Sequence, residues 1–185
     1  MSETKPTTAA RTTKGRAAAA KPAPEEVARQ IFEALAVMDL ERVAPFVHPD
    51  AVDDFVAVGV YRGRERILGF FRELFGAFPD FSLRVGHIVA DAGTAVIQWE
   101  ATGSFTGGPF LGIQPTGKRI TIRGVDVMEI ADGQVRHNTI YYDGATFGRE
   151  VGLMPRAGSP ADRAMLASFN AATKLRARIR ERRGR

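Results

Sequence analysis

The sequence contains no cysteine among its 185 residues and only three histidines and one tryptophan. The absence of cysteine excludes disulfide scaffolds, thiolate metal sites and thiol nucleophiles, and it fits a reducing, cytoplasmic location. No run approaches the ~20 consecutive apolar residues of a membrane span, so we expect no membrane segment. The N-terminus also lacks the apolar centre of a secretory signal. With 44% hydrophobic and 25% charged residues, the composition is that of a globular protein.

The net charge of +5 is concentrated at the two ends of the chain. Residues 1–24 hold five basic side chains and one acidic one, and residues 174–185 hold seven and one. The segment between them, residues 25–173, therefore carries 14 basic and 19 acidic side chains. A net-acidic body indicates no phosphate-binding surface, so nucleic acid is expected as a partner only through the Arg-rich tails. A solvated, solubilising tail is the simpler interpretation of the same residues.

The pattern of apolar residues divides the chain into three parts. Residues 1–24 have no large apolar side chain after Met1 and predict a disordered basic tail. Residues 25–155 carry the helix and strand patterns of one cavity-forming domain. In residues 156–185, Ser159-Pro160 has the character of a helix start, and an apolar stripe follows it. This last part predicts a C-terminal helix with an Arg-rich end.

Helical periodicity comes first along the domain and strand periodicity afterwards. Helices are predicted over 25–38 and 40–46 and after Gly63, and strands over 52–58, 81–90, 94–105, 118–130 and 134–142. Asp132-Gly133 predicts a tight hairpin turn, and residues 106–117 predict a loop. This order predicts an α+β fold in which the N-terminal helices pack on one face of a curved antiparallel sheet. Such a sheet can enclose a ligand cavity.

Two aspartates interrupt apolar strand faces. Asp126 shares alternate strand positions with Ile122 and Met128, and Asp54 shares them with Val56. A carboxylate on an apolar face is costly unless it is paired, hydrogen-bonded or protonated, and enzymes use such groups as general acids and bases. Asp54 and Asp126 are therefore the candidate catalytic residues. A backbone hydrogen bond or an arginine partner at each is the structural alternative.

The histidines and the glycine-rich loop give no comparable signal. His87 shares strand positions with Leu83 and Val85, so we expect it in the core or in a cavity wall. The three histidines have no HxH or HExxH spacing, and no metal site is predicted. The loop over 107–117 lacks the GxxxxGK[ST] spacing of a phosphate-binding loop.

Five segments form a recognisable series along the domain. They are Val-His-Pro-Asp (47–50), Tyr-Arg-Gly-Arg-Glu-Arg-Ile (61–67), Ala-Phe-Pro-Asp-Phe (77–81), Gly-Ile-Gln-Pro-Thr-Gly-Lys (112–118) and Gly-Val-Asp-Val-Met-Glu-Ile-Ala-Asp-Gly (124–133). Together they resemble the SnoaL-like polyketide cyclases, within the superfamily typified by nuclear transport factor 2 and ketosteroid isomerase. The resemblance covers about residues 26–155. It implies a cone-shaped sheet around a hydrophobic pocket, usually in a homodimer, but no single reaction, because fold and function are separable.

The resemblance also implies roles for individual residues. Asp54, nine residues before Gly63, matches the aspartate that moves the proton in ketosteroid isomerases. Asp126 matches the protonated aspartate of their oxyanion hole. Ile31 stands where these isomerases have a tyrosine, and Ile140 stands where the cyclases have an aspartate. Neither known set of catalytic residues is complete.

From the sequence we expect an acid–base isomerase or cyclase, working without metal or cofactor on an apolar carbonyl compound of polyketide or steroid type. Asp54 is the expected base and Asp126 the expected acid or oxyanion donor. The expected contacts of this small hydrophobic ligand are Ile31, Leu35, Phe71, Trp99, Asn138, Ile140 and Tyr142. The alternative is a non-catalytic ligand-binding or assembly module of the same fold, which the missing tyrosine and aspartate support.

Overall fold

The computed structural model of the protein describes residues 21–183. Most of the predicted N-terminal tail, residues 1–20, and the last two residues of the Arg-rich end lie outside the described residues. The described chain makes a contact at its first residue, because the Lys21 ammonium pairs with the Asp132 carboxylate. This contact involves a residue four positions before Glu25, where the sequence pattern placed the start of the domain. Within the described range, no helix combines the length and apolar character needed to cross a membrane.

The helices of residues 21–183 include four that the sequence predicted and one that it did not. They are α1 (Pro24–Ala36), α2 (Leu40–Val43, extended by a 3-10 turn at Ala44–Phe46), α3 (Arg64–Ala77), α4 (Gly144–Glu150) and α5 (Pro160–Arg183). The unpredicted helix is α4. The Asp143 carboxylate caps it by accepting hydrogen bonds from the backbone N–H groups of Ala145 and Thr146, at 2.9 and 3.1 Å. The Asp-Gly-Ala-Thr sequence thus carried a cap signal.

One six-stranded sheet contains all the strands of the described chain. They are β1 (Val47–Phe55), β2 (Gly59–Arg62), β3 (Ser82–Ala90), β4 (Thr94–Ser104), β5 (Arg119–Ala131) and β6 (Gln134–Tyr142), in the order β2-β1-β6-β5-β4-β3. The predicted α+β class, the four long antiparallel strands and the hairpin at Asp132-Gly133 are confirmed; both turn residues have positive φ, as a type I′ turn requires. One pairing differs from the expected antiparallel sheet. Strands β1 and β6 run parallel, which they can do because no hairpin joins them.

The predicted strand over 52–58 is in fact the end of β1 and a turn. β1 ends at Phe55, and the chain then reverses into β2, which pairs with it antiparallel. Val56 lies in this turn and is 56% exposed. The predicted alternation through Val56 and Val58 therefore does not belong to one strand.

A bulge in β3 reverses the predicted orientation of His87. The register with β4 shifts between Val85 and His87, so Gly86 is the extra residue. His87 then faces outward, where its Nδ1 lies 3.0 Å from the Gln98 side-chain oxygen. Ile88 takes the inward position and packs against the core. A shift of one residue moves every following side chain to the other face of a strand.

The helices α1 and α3 pack on the inner face of the sheet, and α5 extends away from this body. Ser159 caps α5 as predicted, because its Oγ accepts a hydrogen bond from the Asp162 backbone N–H at 3.1 Å. The apolar stripe of α5 is exposed, with Phe169 reaching 65% exposure. The stripe is therefore available to solvent in the described chain.

The glycine-rich loop between β4 and β5 attaches to the end of α3. The Gly107 and Gly108 backbone N–H groups donate to the carbonyl oxygens of Ala77 and Gly76, at 3.0 and 2.9 Å. A Cβ at Gly107 would lie 1.9 Å from the Gly76 carbonyl oxygen, whereas a Cβ at Gly108 would meet nothing within 4 Å. Neither glycine has a positive φ. The two adjacent glycines thus differ only in the space around them.

We expect Gly107→Ala to lower the free energy of unfolding by about 1–3 kcal/mol, because the added methyl group forces the loop away from α3. The matched control, Gly108→Ala, should change it by less than about 0.5 kcal/mol. Urea unfolding of both variants measures the difference. Equal stability of the two variants would contradict the described attachment of the loop.

Candidate active site

A cavity of about 120 Å³ lies between the inner face of the sheet and the helices α1 and α3, and it is partly open to solvent. Eight of the chain's twelve phenylalanines line it, among them Phe70, Phe71 and Phe78. An apolar cavity of about this volume accommodates one benzene-sized ring. The open side allows the rest of a larger ligand to extend outward. The lining therefore favours a ligand with an apolar, aromatic portion.

The cavity wall contains few polar groups. Within the described chain, Asp126 is its only acidic residue, and Tyr142 and Thr102 supply hydroxyl groups. The cavity is lined by no lysine, arginine or histidine of the described residues. Among the described residues of this wall, the carboxyl of Asp126 and the phenol of Tyr142 are the groups suited to acid–base chemistry.

The Asp126 carboxylate accepts two hydrogen bonds from N–H donors. The Trp99 Nε1–H donates to its Oδ1 at 2.7 Å, and the Asn138 Nδ2–H donates to its Oδ2 at 2.9 Å. Asp126 is 7% exposed. Burial raises the pKa of Asp126 to about 6, while the hydrogen bonds from Asn138 and Trp99 act in the opposite direction. The carboxyl therefore changes its protonation state close to neutral pH.

The register of three strands brings these groups together. Asp126 lies opposite Ile97 on β4 and Ile140 on β6, and Trp99 lies opposite Gly124. A Cβ at Gly124 would lie 2.3 Å from Cζ2 of the Trp99 indole. Because glycine has no side chain there, the indole can lie across β5 and reach Asp126.

The second inward carboxylate is Asp53, and the predicted face of Asp54 is wrong. Ala51, Asp53 and Phe55 are buried along β1, while Asp54 is half-buried on the opposite face. The sequence predicts Asp54 on the inner face because it alternates with Val56, but Val56 lies beyond the end of the strand. Phe55, the bulkiest apolar side chain of the segment, was the signal for the correct face.

Asp53 lies behind the cavity wall rather than in it. It is 5% exposed and stands opposite Asn138 on the neighbouring parallel strand β6. Burial raises the pKa of Asp53 well above its ordinary value, and the negative charge of Asp126 raises it further. Both effects favour the protonated form of Asp53.

The structure places the seven expected ligand contacts in two groups. Five line the cavity: Leu35, Phe71, Trp99, Ile140 and Tyr142. Ile31 does not, because it is buried in the core beneath α1, and the next residue, Phe32, lines the cavity instead. Asn138 does not either, because its amide is turned onto Asp126. Residues missed from the sequence include Phe110, in the glycine-rich loop, and Phe147, on the unpredicted α4.

The sequence profile of the SnoaL-like polyketide cyclase family matches residues 25–151 of the chain. That range contains the sheet, the cavity wall and both buried carboxyls. No curated protein matches the chain.

Several solved structures resemble the fold. A proposed SnoaL-like polyketide cyclase from Jannaschia sp. CCS1 has a TM-score of 0.64 at 23% identity, over 70% of this chain and 92% of that one. AclR, a proposed hydroxylase from Streptomyces galilaeus, has a TM-score of 0.64 at 20% identity, over 88% and 97%. IdmH, a proposed polyketide cyclase from Streptomyces antibioticus, has a TM-score of 0.60 at 26% identity, over 70% and 98%.

Removing either part of the indole contact should raise the pKa of Asp126 above about 6. Trp99→Phe deletes the N–H donor, and Gly124→Ala displaces the indole, so each variant leaves the carboxylate with one donor fewer. We expect a rise of about one pH unit, measured by carboxyl ¹³C NMR titration. Tyr141→Phe, an exposed aromatic on β6, is the control and should leave the pKa unchanged. An unchanged pKa in Trp99→Phe would contradict the described hydrogen bond.

Asp126 should also make the protein less stable as the pH rises. Between the ~3.9 of free aspartate and about 6, folded Asp126 keeps a proton that the unfolded chain has lost, so raising the pH favours unfolding. Above pH 6 the free energy of unfolding is lower by about 3 kcal/mol, because the pKa of Asp126 is raised by about two units in the folded state. We therefore expect the free energy of unfolding of Asp126→Asn to rise, relative to that of the wild type, by up to this amount between pH 4 and pH 7. Denaturant titrations across this pH range test the prediction, and a constant difference would contradict it.

Proposed function

Because the chain belongs to the SnoaL-like polyketide cyclase family, we propose that it catalyses proton transfer next to a carbonyl group of an apolar compound with an aromatic portion. The product would be an isomer or an aldol-cyclised form of the substrate. The observation that carries the proposal is the position of the Asp126 carboxyl in the wall of a phenylalanine-lined cavity, where burial raises its pKa to about 6. A group that titrates near the working pH is suited to general acid–base catalysis.

In this proposal Asp126 is the general base. The sequence led us to expect a neutral hydrogen-bond donor there, but N–H donors face both carboxyl oxygens and favour the ionised form. A carboxylate has about four lone-pair sites, and the two hydrogen bonds use two of them. The remaining sites can accept a proton from the substrate carbon.

Tyr142 is the proposed donor to the carbonyl oxygen. It lies diagonally from Asp126 across β5 and β6, since Tyr142 stands opposite Gly124 and Asp126 opposite Ile140. Diagonal neighbours in a sheet are about 7–8 Å apart, which leaves room for a reacting carbonyl group between the two side chains. Burial raises the pKa of Tyr142 to about 12, with a smaller contribution from Tyr61, so the phenol keeps its proton. A phenol so placed can stabilise an enolate oxygen.

The proposed step conserves protons and electrons. Asp126 takes the α-proton while the C–H electron pair forms the enolate, whose oxygen accepts a hydrogen bond from Tyr142. In an isomerase, protonated Asp126 then returns the proton to another carbon of the conjugated system. In a cyclase, the enolate carbon instead attacks a second carbonyl of the same substrate, and the new alkoxide takes up the proton.

A non-catalytic ligand-binding module is the second candidate, and Ile140 favours it. Ile140 is buried directly opposite Asp126, where the resemblance implies an aspartate in the cyclases. Such a protein would use the same cavity to bind an apolar ligand without turnover.

Deuterium exchange separates the two candidates without knowledge of the natural substrate. The probe is 2-tetralone, a ketone fused to one aromatic ring, incubated with the protein in D₂O and followed by proton NMR. Catalysis predicts exchange of the α-protons above the buffer rate. Asp126→Asn should lower the catalysed rate by about 10²–10⁴-fold, and Tyr142→Phe should lower it by about 10²-fold.

The control variant is Glu129→Gln, which removes an exposed carboxylate from the outer face of the same strand and should leave exchange unchanged. Loss of exchange in Asp54→Asn would assign the base to the opposite face of β1 and contradict the proposal. Saturable binding of the probe with no exchange above buffer would favour the non-catalytic module.

A further inference from the structure

The Asn138 side chain is only half satisfied by its described partners. Its Nδ2–H donates to Asp126 at 2.9 Å, but its Oδ1 is buried and accepts no hydrogen bond from any described residue. Buried carbonyl oxygens nearly always have a donor, and an unpaired one is costly. Asn138 itself is buried between β5 and β1. A donor next to Asn138 in the sheet would satisfy this oxygen.

Asp53 is the neighbour on the β1 side. It stands directly opposite Asn138, and both side chains lie on the inner face. The Asp53 carboxyl is nearly buried, with neither a hydrogen-bond donor nor a cation to stabilise a negative charge within the described chain. An ionised carboxyl in that position would be costly and would face the oxygen of the amide. A neutral carboxyl has one O–H group, and Asn138 Oδ1 needs one donor.

We propose that Asp53 is kept as a neutral carboxylic acid whose O–H donates to Asn138 Oδ1 and so fixes the Asn138 amide with its N–H directed at Asp126. Asp53 is then a positioning residue, acting on Asp126 through Asn138. Its use in catalysis rests on the proposed function, whereas the hydrogen-bond arrangement itself does not.

The charges around the two carboxyls agree with this assignment. Burial and the neighbouring charge of Asp126 both raise the pKa of Asp53, so Asp126 ionises first and its charge then helps Asp53 keep its proton. The reverse assignment requires Asp126 to donate a proton although N–H donors face both of its oxygens. It also requires the Asn138 amide to turn its N–H toward Asp53. The two assignments therefore differ in which carboxyl is charged and in the direction of one amide.

The sole tryptophan of the chain reports on Asp126 directly. Because the Trp99 indole N–H donates to Asp126, its proton and ¹⁵N chemical shifts should titrate with that carboxyl, with a midpoint near pH 6 in the wild type. In Asp53→Asn the new amide still offers an N–H donor to Asn138 Oδ1 and adds no charge. We expect the midpoint of the Trp99 indole titration in this variant to stay within about half a pH unit of the wild-type value.

In Asp53→Leu the donor is lost while the volume is similar, so the Asn138 amide is no longer fixed. We expect the midpoint to rise by about one pH unit, because Asp126 loses part of its hydrogen bonding. Asp54→Leu, the same change on the opposite face of β1, is the matched control and should leave the midpoint unchanged.

Two results of the variant titrations would overturn the proposal. A fall of the midpoint toward ordinary aspartate values in Asp53→Asn would mean that Asp53 carries the charge. An unchanged midpoint in Asp53→Leu would mean that Asp53 does not position the amide. If Asp53→Leu does not fold, the Asp53 carboxyl ¹³C shift of the wild type decides: a protonated value at pH 7 supports the proposal, and an ionised value overturns it. These measurements need no ligand, so absence of 2-tetralone exchange would count against the proposed function only.

Discussion

The two N–H hydrogen bonds to the buried carboxylate of Asp126 are the contacts on which the site depends. Their donors stand on β4 and β6, so three strands must keep one register for both bonds to form. Gly124 contributes by leaving space for the Trp99 indole across β5. The phenylalanine-lined cavity raises the pKa of the carboxyl, and the two donors limit the rise to about 6. Burial, the larger of the two opposing effects, thus leaves the pKa of this aspartate raised despite its two hydrogen bonds.

Most of the fold could be predicted from the sequence because its longest elements have regular patterns. β5 alternates buried residues with half-buried or exposed ones from Ile120 to Ile130, so Asp126 could be assigned to the inner face from its neighbours alone. The hairpin at Asp132-Gly133 follows from residues that tolerate positive φ. The family resemblance rested on the same regular segments, and the match over residues 25–151 agrees with it.

The wrong predictions concern side chains whose assignment to the inner or outer face of the sheet depends on a single neighbouring residue. Asp54 was assigned inward because a turn residue, Val56, was counted as part of the strand, and His87 because the bulge at Gly86 leaves no mark in the apolar pattern. Asn138 lies on the inner face but is occupied by Asp126, a contact between strands that no local pattern contains. Alternation predicts which side a residue faces only when the strand limits and bulges are known. The inward face of Asp126 was therefore predicted correctly, whereas the second inward carboxyl is Asp53 and not Asp54.

The parallel pairing of β1 with β6 joins the start of the domain to its end. Contacts between residues so far apart in sequence close large loops. The chain loses the entropy of loop closure before the contacts between the two strands can stabilise it. The Asp53–Asn138 neighbourhood depends on this pairing, whereas the Trp99–Asp126 contact is formed within the β4–β5 hairpin. During synthesis on the ribosome, no nascent chain that stops before β6 can contain both carboxyls in their final surroundings. The buried acid pair can thus assemble only once β6 has been synthesised, when the other five strands of the sheet are already present.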